Sequence, residues 1–220
     1  MKNIILISLF AFTTLNLSAQ NKYDTSKIKP ELLVKANAVV RTDDIIYEVK
    51  SAGKATEKTH FAVTVFNVNA DYMASFSLTY DKFSTVSQLK AVVYNSKGEK
   101  IKEFNKGDFK DKSLISDFSV YDDNRIKSLQ IYETNYPYTV DFTSVKDYDG
   151  ILTYPQWTAL QWFNVGVESS DFSISLPEEL NLRYKESPLI KVKEEHINGV
   201  LVGGASLDPQ EFAQIVKHSL

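Results

Sequence analysis

The sequence predicts an all-β protein, an antiparallel β-sandwich preceded by a short helix and followed by a strand-turn-helix tail. Three observations predict it. Short runs rich in β-branched and aromatic residues recur along most of the chain, turn signals punctuate them every 8–15 residues or so, and no internal repeat or low-complexity linker interrupts them. At 220 residues and 43% hydrophobic, the chain is long enough to bury one sizeable core.

The elements follow in order. "MKNIILISLFAFTTLNLSAQ" carries Lys2, an apolar run from Ile4 to Leu17 and a small-residue exit at Ser18-Ala19. That is the layout of a secretory signal peptide, and the run is shorter than the roughly 20 residues a membrane-spanning helix needs. Residues 1–19 are expected to be removed and the rest exported to the periplasm or the exterior. In "KPELLVKANAVV", Pro30 suits a first helical position, with Leu32, Leu33 and Ala36 on one side of a short helix. "AVVRTDDIIYEVKS" and "KATEKTHFAVTVFNVN" then read as a hairpin about Ala52-Gly53. In the second strand Phe61, Val63 and Val65 share one face while Ala62, Thr64 and Phe66 line the other, as suits a strand central in a sandwich.

"ASFSLTYDKF", "VSQLKAVVYN" and "KIKEF" follow, with Gly98 turning the chain between the last two. "SLQIYETN" and "YPYTVDFTSVKDY" supply further strands, closed by a tight turn at Asp149-Gly150. "WTALQWFNVGVESS", "DFSISLP" and "LNLRYKE" complete nine or ten strands. The sandwich spans residues 20–187, and the Pro, Lys and Glu of residues 188–196 separate it from a tail at 197–220.

Composition excludes several functions. The formal charge of −3 offers no electrostatic footprint for nucleic acid. There is no cysteine, hence no disulfide, thiolate metal site, cysteine nucleophile or lipidated cysteine. Asp108, Asp111, Asp117, Asp122 and Asp123 crowd one stretch, but their spacing fits no EF-hand loop. They read as solvated turn carboxylates, and neither a metal nor a cofactor is expected. His60, His196 and His218 lie in unrelated contexts with no Gly-x-Ser-x-Gly elbow, and they read as structural or surface histidines.

Two features offer binding chemistry. Aromatic residues concentrate between Tyr132 and Trp162, and Tyr136, Tyr138, Tyr154, Trp157 and Trp162 are the candidate platform for an extracellular peptide or glycan. The competing reading has Trp and Phe filling the core and Tyr straddling its edge. In the tail, "INGVLV", Gly203-Gly204 and a helix capped by Asp208 form a strand, glycine turn and helix N-terminus, an arrangement that cradles phosphate.

The tail "NGVLVGGASLDPQEFAQIV" resembles the last strand, Gly-Gly loop and final helix of triosephosphate isomerase. That resemblance implies phosphate binding by the amides of Gly203 and Gly204; nothing before Glu195 resembles the strands that carry that family's catalytic residues. Residues from about 26 to 186 resemble a different family, the β-rich N-terminal domain of bacterial secreted transglutaminase-like proteins. The segments "PELLVKANAVVR", "YDKFSTVSQLKAVVYNSKGEKIKEF", "SDFSVYDDNRIKSLQI", "YPYTVDF" and "LTYPQW" carry that resemblance. It implies a non-catalytic accessory domain, with the catalytic core downstream. The meeting of the two near Lys193 to Ile197 reads as a junction between unrelated coding segments. The alternative functions are a loop-carboxylate hydrolase, glycosidase-like or metal-assisted, using Asp117, Asp122 and Asp123, and a working phosphate site in the tail.

Overall fold

The computed structural model describes residues 22–114, 123–151, 154–158 and 162–180. The expected signal peptide, the junction and the tail lie outside the described residues. The expected all-β fold is present: among the described residues ten strands form a seven-stranded sheet, in the order β10-β1-β2-β8-β4-β5 with β9 also on β1, and a three-stranded sheet, β3-β7-β6.

β1 (Ala38–Ser51) and β2 (Lys54–Val65) form the hairpin read at Ala52-Gly53. β2 pairs on its other side with β8 (Tyr138–Asp149), which pairs in turn with β4 (Ser84–Tyr94). β5 (Lys100–Asn105) closes that edge. The small sheet is built from β3 (Ser75–Tyr80), β6 (Lys110–Ser113) and β7 (Arg125–Gln130). β6 falls in a stretch the sequence reads as an acidic loop, because none of its four residues is buried and no apolar alternation marks it. Gly98 (φ 75°) and Gly150 (φ 136°) both take the left-handed backbone that their turns require.

Alternation divides the large sheet into two faces. On the inner face Val40, Val63, Val65, Val93, Tyr138, Val140 and Phe142 are fully buried, and Phe76 and Leu129 of the small sheet pack onto them. Phe142 stacks on Phe76 at a centroid separation of 5.1 Å. The core therefore sits between the two sheets, centred on Phe142.

Two strands depart from the antiparallel expectation. β9 (Val165–Val167) and β10 (Asp171–Ser175) both run parallel to β1. The pairing order explains it: β8 already runs in the direction of β1, so the chain after Asp149 must return to the start of β1 before pairing again. A parallel partner needs such a crossover, and Tyr154, Trp157 and Trp162, which lie between β8 and β9 in the chain, pack on Tyr47, Phe172 and Phe61, where the small sheet leaves the inner face bare.

The expected N-terminal helix is shorter than read, a 3₁₀ turn over Pro30–Leu33 after another at Thr25–Lys27, and Lys35 at φ 56° stops it. Together they form a strap over the outer face, tied by Thr25, whose N–H and hydroxyl both donate to the Ser96 carbonyl at 3.0 Å. The strap passes so close to β9 that a Cβ on Gly166 would lie 2.6 Å from the Leu32 carbonyl oxygen. No side chain larger than hydrogen fits there.

Candidate functional site

The structure separates the five aromatic candidates. Tyr138 is fully buried and belongs to the core, its hydroxyl 3.3 Å from Asp71. Tyr136 lies beside it with ring centroids 5.6 Å apart, and its hydroxyl donates to Asp71 at 2.7 Å. Tyr154, Trp157 and Trp162 stand on the crossover instead. Tyr154 packs edge-on against Tyr47, Trp157 stacks on Phe172, and Trp162 lies 5.9 Å from Phe61. Their rings face the sheet, leaving Tyr154 at 54% exposure as the most open of the five.

A buried relay locks this crossover down. The Trp157 indole donates to Ser170 Oγ at 3.0 Å, and that hydroxyl donates to Asp43 Oδ2 at 3.1 Å. Asp43 is 9% exposed, and burial pushes its carboxyl above the usual range against the opposing Ser170 bond. A carboxylate with a raised folded-state pKa ionises in the unfolded chain first. Its contribution is therefore most favourable below the unfolded value of about 4, and it is lost as pH rises through the folded value. Asp43→Asn, which keeps an acceptor for Ser170, is expected to be more stable than the wild type at about pH 7 and equal to it near pH 3. Urea midpoints at both pH values check this; a gain of the same size at both contradicts it.

On the outer face the strap brings together three residues that the sequence does not connect. The Tyr23 hydroxyl donates to Asp141 Oδ2 at 2.7 Å, and His60 Nε2 lies 2.9 Å from Asp141 Oδ1 and 3.3 Å from the Tyr23 oxygen. Burial, then the Asp141 charge, raise the Tyr23 phenol far above its ordinary range, so Tyr23 stays a neutral donor. Beside this group Arg41 spans the sheet: its Nε donates to Glu168 at 2.5 Å and its fork reaches the Lys22 carbonyl and Thr64 at 3.5 Å. Arg41 alternates with Val39 onto this face, and the bulge after Val40 brings Thr42, opposite Ala62, to it as well. Such an Asp–His pair is the geometry of a general base. Yet among the described residues His60 hydrogen-bonds through Nε2 to Tyr23 of the strap and to Asp141, with its side chain 29% exposed beside the strap.

The acidic candidates are dispersed. Asp108 caps its own turn, and Asp111 accepts from Tyr80, Arg125 and Lys127. The Lys127 bond, then that of Tyr80, holds the Asp111 carboxyl down to about 2. Asp123 faces Lys82 at 3.5 Å, while Asp117 and Asp122 lie outside the described residues. Among the described residues no three His, Asp or Glu side chains converge as metal ligands, and no helix is long and apolar enough to cross a membrane. Gly203 and Gly204 lie outside the described residues.

Two clefts open at the hairpin end of the sandwich, on either side of Phe83, Ser84 and Tyr148. One, on the outer side, is rimmed by Lys50, Lys54 and Lys82, and the other enters between the sheets beside Lys146.

Comparison with known proteins places the fold. A family model described as "Domain of Unknown Function with solved-structure structure (DUF3857)" matches residues 51–200. The chain belongs to the DUF3857 family. A triosephosphate isomerase model matches residues 189–219 alone, the tail in which the resemblance to that family was read. No match was found among curated proteins. Among solved structures, a "putative protease" from Parabacteroides distasonis superposes with a TM-score of 0.53 at 15% identity. The match covers 65% of this chain and only 29% of that protein, so the shared fold occupies under a third of its length. An M1 zinc metallopeptidase of Deinococcus radiodurans (14% identity, 62% of this chain, 25% of that one) and yeast LTA4 hydrolase (11%, 54% and 17%) overlap only loosely, both at a TM-score of 0.24.

Proposed function

We propose that this chain is an exported, non-catalytic accessory module, of the kind that stands N-terminal to a transglutaminase-like core and positions that core or a surface partner. The observation that carries the reading is the bonding of the Tyr23–His60–Asp141 group to the strap. In the one Asp–His pair among the described residues, His60 Nε2 and both Asp141 oxygens are taken up by one another and by Tyr23 of the strap. It serves to fasten the strap to the sheet. The match to 29% of the Parabacteroides protein supports a module that works beside a larger remainder, and the sequence segments quoted above support the transglutaminase-like kinship.

Export is tested by intact mass and N-terminal sequencing of the protein recovered from its source. The expected chain begins at Gln20, three residues before Tyr23, so that the strap starts almost at the mature N-terminus. Recovery of a cytoplasmic chain still beginning at Met1 contradicts the export reading.

A further inference from the structure

We propose that the wedge between the two sheets at Lys146 binds a carboxylate carried on a compact apolar body. The inward row of β7 runs from Leu129, opposite Phe76, through Lys127 to Arg125, opposite Tyr80. The inter-sheet space thus changes from apolar to polar toward the hairpin end, where Lys146 of β8 enters it. The cleft there, about 270 Å³, is lined by Tyr80, Asp81, Phe83, Ser84, Lys146 and Tyr148 among others.

The hydroxyls of Tyr80, Ser84 and Tyr148 in this lining are already engaged. Tyr80 donates to Asp111 at 2.7 Å, Ser84 to Asp81 at 2.7 Å and Tyr148 to Glu57 at 2.5 Å. Lys127 and Arg125 are matched by Asp111. Lys146 is half-buried and donates once, to the Thr79 carbonyl at 2.8 Å, with its ammonium 4.7 Å from the centroid of the Tyr148 ring. Among the described residues no carboxylate lies within ion-pair distance of it. An ammonium has three donors, so two remain for a ligand.

A half-buried cation without an acid is costly unless something compensates it. Burial accordingly lowers the Lys146 pKa from its ordinary value, against the opposing fields of Glu57 and Asp81. A ligand carboxylate would supply the missing charge through charge-assisted bonds. Its apolar body would lie among the rings of Tyr80, Tyr148 and Phe83, the last of which is 42% exposed. Such a carboxylate belongs either to a peptide C-terminus or to a small free acid.

The test is an NMR titration of the full chain with three probes: phenylacetate, its neutral analogue phenylacetamide, and N-acetylalanylphenylalanine with a free C-terminus. Both carboxylates are expected to give saturable shifts at the amides of Ser84, Tyr148 and Gly150, with phenylacetamide weaker by roughly tenfold or more. The tighter of the two carboxylates identifies the source. Lys146→Met is expected to weaken binding by roughly tenfold, while Lys82→Met, at the rim of the neighbouring outer cleft, leaves it unchanged. In the wild type, the Lys146 ammonium is expected to titrate at higher pH when the probe is bound, a readout that stands even if Lys146→Met fails to fold. The proposal is overturned if neither carboxylate saturates, if phenylacetamide binds as well, if Lys146→Met binds unchanged, or if the Lys146 titration does not move.

Discussion

Phe142→Ala is expected to lower the stability of the protein by about 3–5 kcal/mol, the cost of truncating a fully buried aromatic ring. Phe142 has no exposed surface, lies between Phe61 and Ala91 in the β2-β8-β4 ladders, and stacks on Phe76 across the two sheets. Its loss opens a cavity where the small sheet rests on the large one, and few atoms nearby are free to collapse into it. At about 2–4 °C per kcal/mol for a chain of this size, the melting temperature should fall on the order of 10 °C. Phe142→Leu should cost less than half as much. A thermal or urea melt reads both. A loss below about 1 kcal/mol for the alanine variant would place the core elsewhere.

Arg41→Ala is expected to have the second largest effect. The Arg41 side chain is 6% exposed and that of Glu168 22%, so removing the guanidinium leaves a carboxylate only partly hydrated and frees the carbonyl of Lys22. Breaking a fully buried pair costs about 3–5 kcal/mol, and the residual hydration of Glu168 reduces the figure here to about 2–3 kcal/mol. The mechanism predicts non-additivity: once Arg41 is gone, Glu168→Gln should restore part of the lost stability, because the uncompensated charge disappears. Urea melts of the two single variants and the double variant decide it, and simple additivity of the losses would contradict it.

The sheet hairpins were legible because their signals are local. The alternation of Phe61, Val63 and Val65 and the turns at Gly98 and Asp149-Gly150 placed β1, β2, β4, β5 and β8 in their observed segments. The parallel return of β9 and β10 was not legible, since direction depends on which strand the chain rejoins and nothing in "NVGVESSDFSIS" records that. The aromatic run from Tyr132 to Trp162 was visible, but its division between core, edge and crossover follows from the bare part of the inner face, a property of the assembled sheets. The outer-face group was hidden for a similar reason: Tyr23, His60 and Asp141 are separated by 37 and 81 positions. Tyr23 precedes any strand, so only the strap's path brings it there. The wedge at Lys146 was likewise silent, because a lysine in an alternating strand reads as solvent-facing until the charged row of β7 is seen opposite it.

The central claim is that the Tyr23–His60–Asp141 group fastens the fold and turns over no substrate. The most direct test is to measure peptide hydrolysis and amine incorporation into protein glutamines by the purified chain and by its His60→Gln variant, alongside their melting temperatures. The account predicts no turnover above background from either protein and a lower melting temperature for the variant. Turnover by the wild type that disappears in a His60→Gln variant of unchanged stability would contradict it.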